Sequence, residues 1–383
     1  MSGVDYVRHG FQLDPITSTT YHLVGYDPRG TGADLIDCTS AFRPSPLLDG
    51  SPDSTSEYEM LDGASSAIAA SCAQANPSLL PHLTASDHAA DLEQIRLALN
   101  EPQLHYFGAS YGTRFGLAYA SAFPQTTGLM VLDGVINPTH TLTDLLLQQA
   151  EAFEHQFHRM GTECHGTPTC PEPTLTAGFL RVRDRLERNG AAAAFGTEEL
   201  DWAALRSLYN DNLWPTFSRE LRHADLRHDY DGLHELARWL TESDAFTAYL
   251  ATVCADLPHP QNTDDWDDVV AEASAIAPIF GSTVVNELRP CVYWPNPTQA
   301  PSSASAPAPP PALPHQLVLL AAKGDVATPP ANAMAVHQNW PNTVLVEADA
   351  QRHTAYGTSS CVTDLIQRYF IVGQLDHQTY SCP

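Results

Sequence analysis

The chain has 383 residues, 43% of them apolar, which is enough to form a sizeable core. Asp and Glu outnumber Lys and Arg by 45 to 19, and the net charge of −26 repels nucleic-acid phosphates and anionic lipid headgroups. The longest apolar runs, such as Leu317–Ala322, fall far short of the roughly 20 residues that a membrane-spanning helix needs. We therefore expect a soluble globular protein with no nucleic-acid partner and no membrane span.

The first elements predicted along the chain are short apolar strands that alternate with helices. The predicted strands are Tyr21–Tyr26, Leu104–Gly108 and Leu129–Asp133. The predicted helices are Ser86–Leu99, with Ser86 as the N-cap, and Thr113–Phe123. This alternation predicts a parallel sheet covered by helices on both faces.

The middle of the chain has a different pattern. From about residue 137 to 297 it is mostly helical, and a Pro/Ala/Ser-rich stretch follows at 298–314. Strands are predicted again at Gln316–Ala321 and Thr343–Glu347. We therefore predict two core segments separated by an inserted helical cap and a linker, with the boundaries 1–136, 137–297, 298–314 and 315–383.

The eight cysteines lie in neighbouring couples along the chain. Pairing in sequence order would give four local disulfides and would indicate an oxidising compartment. The couples are Cys38 with Cys72, Cys164 with Cys170, Cys254 with Cys291, and Cys361 with Cys382. Free buried thiols are the alternative, and a zinc site at Cys164 and Cys170 with nearby histidines is a weaker one because its spacing fits no standard finger.

One motif carries a recognisable chemistry. The segment Gly108–Gly112 fits the pattern Gly-x-Ser-x-Gly, between a predicted strand and a predicted helix. The glycines permit a turn tight enough to hold Ser110 at its tip, and the Tyr111 amide at the helix start can stabilise negative charge on a substrate oxygen. The motif in this context predicts a nucleophilic serine.

A serine hydroxyl needs a histidine to accept its proton and a carboxylate to orient that histidine. Asp325 and His353 each follow one of the last two predicted strands, at the sheet edge where open α/β sheets assemble their sites. Taken singly, Asp325 could form a turn beside a glycine and His353 could be one of the chain's 17 histidines on a surface loop. Their order after Ser110 favours a Ser–Asp–His triad.

Several longer segments resemble the secreted tripeptidyl aminopeptidases, relatives of the proline iminopeptidases. The similar segments include Tyr21–Gly32, His105–Arg114, Ala118–Pro124, Val131–Pro138 and Cys254–Asp256. The similarity extends to Cys291 with Trp294–Pro295, to the Asp325 and His353 segments and to a last cysteine near the C-terminus, and it covers nearly the whole chain.

The resemblance implies an α/β-hydrolase fold, with a mostly parallel sheet, helices on both faces and a helical cap. It also implies a secreted or cell-envelope serine exopeptidase that removes short peptides from free N-termini without a cofactor or metal. The cap would supply an anion for the substrate's α-ammonium group. Asp256 is the first candidate for that anion, and Glu220, Glu235 and Glu242 are others.

The chain departs from the family pattern at its start. Relatives carry further strands and a Gly-Gly-Pro-Gly-Gly loop before the segment that matches Ser2–Asp5, and no secretion signal opens this sequence. That loop would supply the second oxyanion donor, and losing one donor costs on the order of 10²–10³ in rate. We therefore expect an N-terminally truncated chain. An esterase or amidase with the same triad, or a catalytically impaired fragment, remains an alternative.

Overall fold

The structure is a computed structural model, and it describes residues 2–9, 17–32, 35, 36, 38, 49–189, 195–241, 244–295 and 306–383. In these residues the strands are β1 (Leu104–Ala109), β2 (Thr127–Asp133), β3 (Leu317–Ala322), β4 (Thr343–Ala348) and β5 (Thr379–Cys382). They form one parallel sheet in the order β1-β2-β3-β4-β5. The predicted parallel sheet is confirmed.

Helices precede, separate and follow these strands. In chain order they are α1 (Gly3–His9), α2 (Thr17–Thr20), α3 (Thr55–Ala75), α4 (Ala85–Ala98), α5 (Tyr111–Ala122), α6 (Leu142–Cys164), α7 (Leu175–Asn189), α8 (Thr197–Leu208), α9 (Trp214–Arg227), α10 (Asp231–Thr241), α11 (Asp244–Asp256), α12 (Thr263–Ile276), α13 (Gly281–Asn286), α14 (Pro330–Asn339) and α15 (Ser360–Val372). We call α6 to α13, which lie between β2 and β3, the inter-strand helices.

Alternating side chains of the strands bury against helices on both faces of the sheet. In β3, Leu317 and Leu319 share a cluster with residues of α4, α5 and α14, whereas Val318 and Leu320 share one with α15. This is the period-2 alternation of a strand covered on both faces. The expected layer of helices on each face is therefore confirmed.

The inter-strand helices have a core of their own. Large apolar residues such as Phe157, Phe179 and Phe280 pack edge-to-face or tilted, with ring centroids 5.1 to 5.6 Å apart. Helix α3 joins this core, and the Arg289 side chain of the short 3₁₀ helix before residue 295 binds Asp62 of α3 at 2.6 Å. An element from the predicted first core segment therefore packs with the inter-strand helices.

The segment Tyr21–Tyr26 was predicted as a strand, and this prediction is wrong. The structure describes residues 21–28 without regular secondary structure. A strand needs a neighbouring strand to satisfy its backbone groups. This segment instead lies against α1, where a Cβ atom on Gly25 would lie 2.5 Å from the Gly3 carbonyl oxygen, and the Tyr21 hydroxyl donates to the Phe370 carbonyl of α15 at 2.7 Å.

Two smaller details of the prediction are also corrected. Helix α4 is capped by Thr84 rather than Ser86, because the Thr84 hydroxyl accepts from the Asp87 amide while Asp87 accepts from the Thr84 amide. The terminal strand β5 was not predicted. Of the predicted linker 298–314, residues 298–305 lie outside the described part of the chain.

All four sequential cysteine couples form disulfides, namely Cys38–Cys72, Cys164–Cys170, Cys254–Cys291 and Cys361–Cys382. The sequential pairing is therefore confirmed, and the zinc alternative at Cys164 and Cys170 is excluded because both sulfurs are in a disulfide. No helix in the described part of the chain is long and apolar enough to cross a membrane.

Candidate active site

Ser110 lies at the tip of the turn between β1 and α5. Its backbone has φ 54° and ψ −125°, a conformation that is costly for a residue with a Cβ atom. The glycine two residues earlier allows the turn to close, because a Cβ atom at Gly108 would lie 2.5 Å from the Tyr106 ring and 2.7 Å from the Gly112 carbonyl. The strand–turn–helix context predicted for the motif is present.

Helix α5 begins directly after the serine. Ser110 is its N-cap residue, but its hydroxyl makes no capping hydrogen bond. The Tyr111 amide belongs to the first turn, whose N–H groups have no acceptor within the helix, and the positive end of the helix dipole lies there. The predicted oxyanion donor is thus located next to the serine.

Asp325 and His353 are in direct contact. His353 Nδ1 lies 2.9 Å from Oδ1 and 3.0 Å from Oδ2 of Asp325. The Asp325 carboxylate is fully buried and also accepts from the amides of Ala327 and Thr328, from the Thr328 hydroxyl and from the Thr354 amide. These donors fix the carboxylate in an orientation that places the Nδ1 proton of His353 towards it and leaves Nε2 available.

The ionisation of His353 reflects this contact. Burial lowers the pKa of His353, but the charge of Asp325 and its hydrogen bond raise it, as does the charge of Asp133, and the net pKa lies above the ordinary value for histidine. Asp325 therefore stabilises the imidazolium form that arises when the histidine takes a proton.

Asp133, at the end of β2, connects the serine turn to the histidine loop. Its carbonyl accepts from the Ser110 amide at 2.8 Å, and its carboxylate accepts from the amides of Ala355 and Tyr356 at 2.7 and 2.8 Å. A Cβ atom on the next residue, Gly134, would lie 3.3 Å from Asp325 Oδ2 and 3.4 Å from His353 Cε1. The three predicted residues thus converge at the C-terminal edge of β1, β2 and β3.

Asp133 is buried, and burial raises the pKa of its carboxyl group to about 6, while the Ala355 and Tyr356 amides oppose that rise. Within the described residues no hydrogen bond joins the Ser110 hydroxyl to His353. Such contacts are commonly long without substrate and tighten in the reacting complex. Sequence reasoning missed Asp133, although an acidic residue ending an apolar strand is a usable signal.

The inter-strand helices hold both loops of the aspartate–histidine pair. Gln156 of α6 donates from Nε2 to the Gly324 carbonyl at 3.0 Å and to Gln351 Oε1 at 3.1 Å. The His353 amide donates to the Tyr209 carbonyl at 2.9 Å, and the Tyr209 ring packs edge-on against the imidazole at 5.6 Å. The histidine is therefore positioned from both the sheet and the inter-strand helices.

The structure does not support Asp256 as the group that receives a substrate amine. Its carboxylate is buried and accepts from Arg114 Nε at 2.6 Å, from the Tyr111 hydroxyl at 2.8 Å and from the Ala85 amide at 2.7 Å. Both oxygens are thus occupied and shielded from solvent. Asp256 ties α11 to α4 and α5, which is a structural role that sequence spacing could not reveal.

The other suggested carboxylates are paired or lie outside the described residues. Glu220 accepts from Arg219 at 2.8 Å and lies 3.2 Å from His223, and the exposed Glu235 accepts from Arg238 at 2.9 Å. Glu242 falls outside the described part of the chain.

Two further carboxylates lie among the inter-strand helices, Glu198 in α8 and Glu287 directly after α13. Glu198 is buried with Oε2 unpaired, and burial together with the charge of Glu287 raises the pKa of Glu198 to about 8. Burial and the charge of Asp201 raise the pKa of Glu287 to about 8 as well. Neither carboxylate has a cation partner among the described residues.

Glu287 is close to the triad through two tyrosines. Burial raises the pKa of Tyr249, and the charge of Glu287 raises it further; burial, Tyr249 and Glu287 act in the same direction on the pKa of Tyr209. The Tyr249 ring packs edge-on against Tyr111 at 6.3 Å, and Tyr209 packs against His353. Sequence reasoning missed this pair, because only tertiary packing brings it to the site.

Comparison with known proteins agrees with this geometry. Residues 277–382 match the family model described as TAP-like protein. The chain is 28% identical to the tripeptidyl aminopeptidase of Streptomyces lividans over 388 residues, which covers 96% of this chain and 71% of that protein. It is 26% identical to the serine protease Hip1 of Mycobacterium tuberculosis, covering all of this chain and 78% of the relative.

A third relative has a different name. Carboxylesterase B of Mycobacterium tuberculosis is 26% identical, with 94% of this chain and 73% of that protein covered. Among solved structures, the α/β hydrolase MGS-M2 from a deep-sea metagenome library is similar at 12% identity and a TM-score of 0.33, over 77% of this chain and 74% of that one.

The parallel sheet with helices on both faces, the serine at the strand–helix turn and the aspartate–histidine pair at the adjacent strand ends define an α/β hydrolase. More specifically, the chain is similar over nearly its whole length to the tripeptidyl aminopeptidase of Streptomyces lividans and to serine protease Hip1, and the TAP-like match covers its residues 277–382.

Proposed function

We propose that the protein is a serine exopeptidase that cleaves peptide bonds near free N-termini through an acyl-enzyme. The observation that carries the proposal is the 2.9 Å contact between His353 and Asp325 beside the strained Ser110 turn. In the proposed reaction Ser110 attacks the scissile carbonyl, and His353 takes its proton and later passes it to the leaving amine. The Tyr111 amide stabilises the oxyanion, and water then releases the acyl group.

The preference for a free N-terminus rests on Glu198 and Glu287. The buried Glu198 and the half-buried Glu287, which have no cation partner among the described residues, form a site in which a substrate α-ammonium group would replace lost hydration with ion pairs. Glu287 acts electrostatically on Tyr249, which packs against Tyr111, and on Tyr209, which packs against His353. We therefore propose that the inter-strand helices act as the predicted cap, and that Glu287, rather than Asp256, faces the substrate amine.

The four disulfides favour an oxidising environment, and we propose a secreted or cell-envelope location. The alternative activity, on small esters or amides, uses the same triad and is favoured by the similarity to carboxylesterase B. The two activities differ in whether a charged substrate amine contributes to binding.

The experiment compares a tripeptide p-nitroanilide with a free amine, its N-acetylated analogue and a p-nitrophenyl ester as substrates of the purified 383-residue chain. We expect turnover of the free-amine peptide that Ser110→Ala abolishes, together with Ser110-dependent labelling by a fluorophosphonate. Glu287→Gln should raise KM for the free-amine peptide about 10-fold or more and leave the acetylated peptide unchanged.

The matched control is Glu272→Gln, which removes an exposed carboxylate of α12 and should change neither KM. Turnover of the ester alone, in a sample that the fluorophosphonate labels, would favour the esterase. An absence of labelling in folded protein would reject the triad itself.

A further inference from the structure

A group of three carboxylates lies away from the active site, where the segment before α3 meets α7. Asp49, Glu57 and Glu187 each direct one oxygen into this group, and these oxygens all lie within 4.8 Å of one another. Calcium binds oxygen ligands at 2.3–2.6 Å, so two ligands on opposite sides of one ion are about 4.6–5.2 Å apart. The spacing of the group therefore suits a single ion.

The buried member of the group lacks a partner on one oxygen. Asp49 is 5% exposed; its Oδ1 accepts from the Ser51 amide at 2.8 Å, whereas Oδ2 is buried without a hydrogen-bond partner. An unpaired buried carboxylate oxygen is costly, and a cation is the ligand that would satisfy it. This observation is independent of the clustering of acidic residues.

The nearest cation of the protein does not fill this role. Arg183 donates to the Ile279 carbonyl, to the Ser51 hydroxyl and to Asp201 Oδ2, at 2.7 to 3.0 Å. It makes no hydrogen bond to Asp49 or Glu187 within the described residues, although its charge lowers the pKa of both. The Arg183 guanidinium group is therefore already hydrogen-bonded to acceptors outside the three-carboxylate group.

The local electrostatics are consistent with a missing positive charge. Asp53 adds further negative charge around Asp49, Glu57 and Glu187.

We propose that Asp49, Glu57 and Glu187 form a calcium site that fastens the segment before α3 to helix α7. Glu187 is exposed, so water can complete the shell of six to eight oxygens that calcium takes. The site goes beyond the hydrolase function and does not depend on it. It also departs from the sequence-based expectation of no metal, which considered only cysteine and histidine ligands.

The test titrates calcium into the chelator-treated 383-residue chain by calorimetry and follows Tm. We expect one bound ion and a rise in Tm of about 3 °C or more at saturation. Glu187→Gln and Asp49→Asn should each weaken binding about 10-fold or more, and in chelator each should melt no lower than the wild type, because a repelling charge is removed. The control Glu272→Gln should bind calcium as the wild type does.

Two results would overturn the proposal. One is the absence of heat and of a Tm shift when calcium is added to folded wild-type protein. The other is unchanged binding in Glu187→Gln and Asp49→Asn. Magnesium at the same concentration provides a selectivity arm: because magnesium requires a tight octahedral shell at 2.0–2.1 Å, binding equal to that of calcium would contradict the calcium assignment.

Discussion

His353 shows how one residue's surroundings set the chemistry available to it. The imidazole is held by Asp325 on one side and by the Tyr209 carbonyl and ring on the other. The Asp133 carboxylate holds the same loop by accepting hydrogen bonds from the amides of Ala355 and Tyr356. The ring is therefore fixed in orientation, and its pKa is set by neighbours that neither the strand pattern nor the motif identifies.

This environment predicts the pH dependence of activity. His353 must be neutral to take the serine proton, and its raised pKa means that activity falls as pH drops through a midpoint above the ordinary value of about 6.5. Replacing the aspartate by Asp325→Asn removes the charge that raises this pKa, so the midpoint should move to lower pH while kcat falls about 10³–10⁴-fold. The measurement is kcat/KM from pH 5 to 9, and an unmoved midpoint in the variant would contradict the assignment.

At the scale of elements, helix α6 couples the inter-strand helices to the catalytic edge of the sheet. Its residues Gln149 and Gln156 donate to carbonyls of the Asp325 loop, at 2.8 Å to Ala327 and 3.0 Å to Gly324. Gln156 also reaches Gln351, two residues before His353. A single helix face therefore aligns the acid loop with the histidine loop.

We accordingly expect Gln156 to be a positioning residue. Gln156→Leu leaves the Gly324 carbonyl without its partner, which should cost about 1–3 kcal/mol of stability. Because small displacements of catalytic groups are expensive, kcat should fall about 10-fold or more with KM roughly unchanged. The readouts are kcat and KM separately, with Tm as a check on folding.

The exposed Gln125→Leu serves as the matched control and should behave like the wild type. A loss of Tm in Gln156→Leu with unchanged kcat would show that Gln156 is only structural.

At the scale of the whole molecule, some of the acidic residues that give the chain its net charge of −26 are buried. Several carboxylates are buried in or beside the inter-strand helices, and burial raises the pKa of Glu198 to about 8 and of Asp201 to about 6. A raised pKa in the folded state means that the folded chain binds more protons than the unfolded chain at intermediate pH. These groups therefore stabilise the fold below the unfolded pKa of about 4.3, and that contribution is lost as pH rises towards 8.

The corresponding prediction concerns Glu198→Gln. The substitution keeps the shape of the side chain and removes its ionisable carboxyl group. The free energy of unfolding should therefore decline less between pH 5 and pH 8 than in the wild type. At pH 8 the variant should be more stable by the order of 1 kcal/mol. Urea unfolding at both pH values measures this, and parallel declines in the two proteins would contradict the buried, cation-free assignment.

Much of the architecture could be predicted because strong local patterns survive in the fold. The strand predicted at Gln316–Ala321 is found as β3, and the helix predicted at Thr113–Phe123 is found as α5, since periodicity and burial agree there. The segment Tyr21–Tyr26 has the composition of a strand but not the structure of one. Strand formation depends on a neighbour for hydrogen bonding, and local sequence contains no information about that neighbour.

The sequence by itself predicted the turn that holds Ser110, the order of Ser110, Asp325 and His353, and the neighbouring cysteine couples, because these depend on short spacing and on residue chemistry. Only the tertiary structure decided that Asp256 pairs with Arg114 and that Glu198 and Glu287 have no cation partner in the described part of the chain. It also decided that Asp49 meets Glu187 across 138 positions of chain. Whether a carboxylate binds a ligand or a structural partner depends on distance and desolvation, and folding alone sets both.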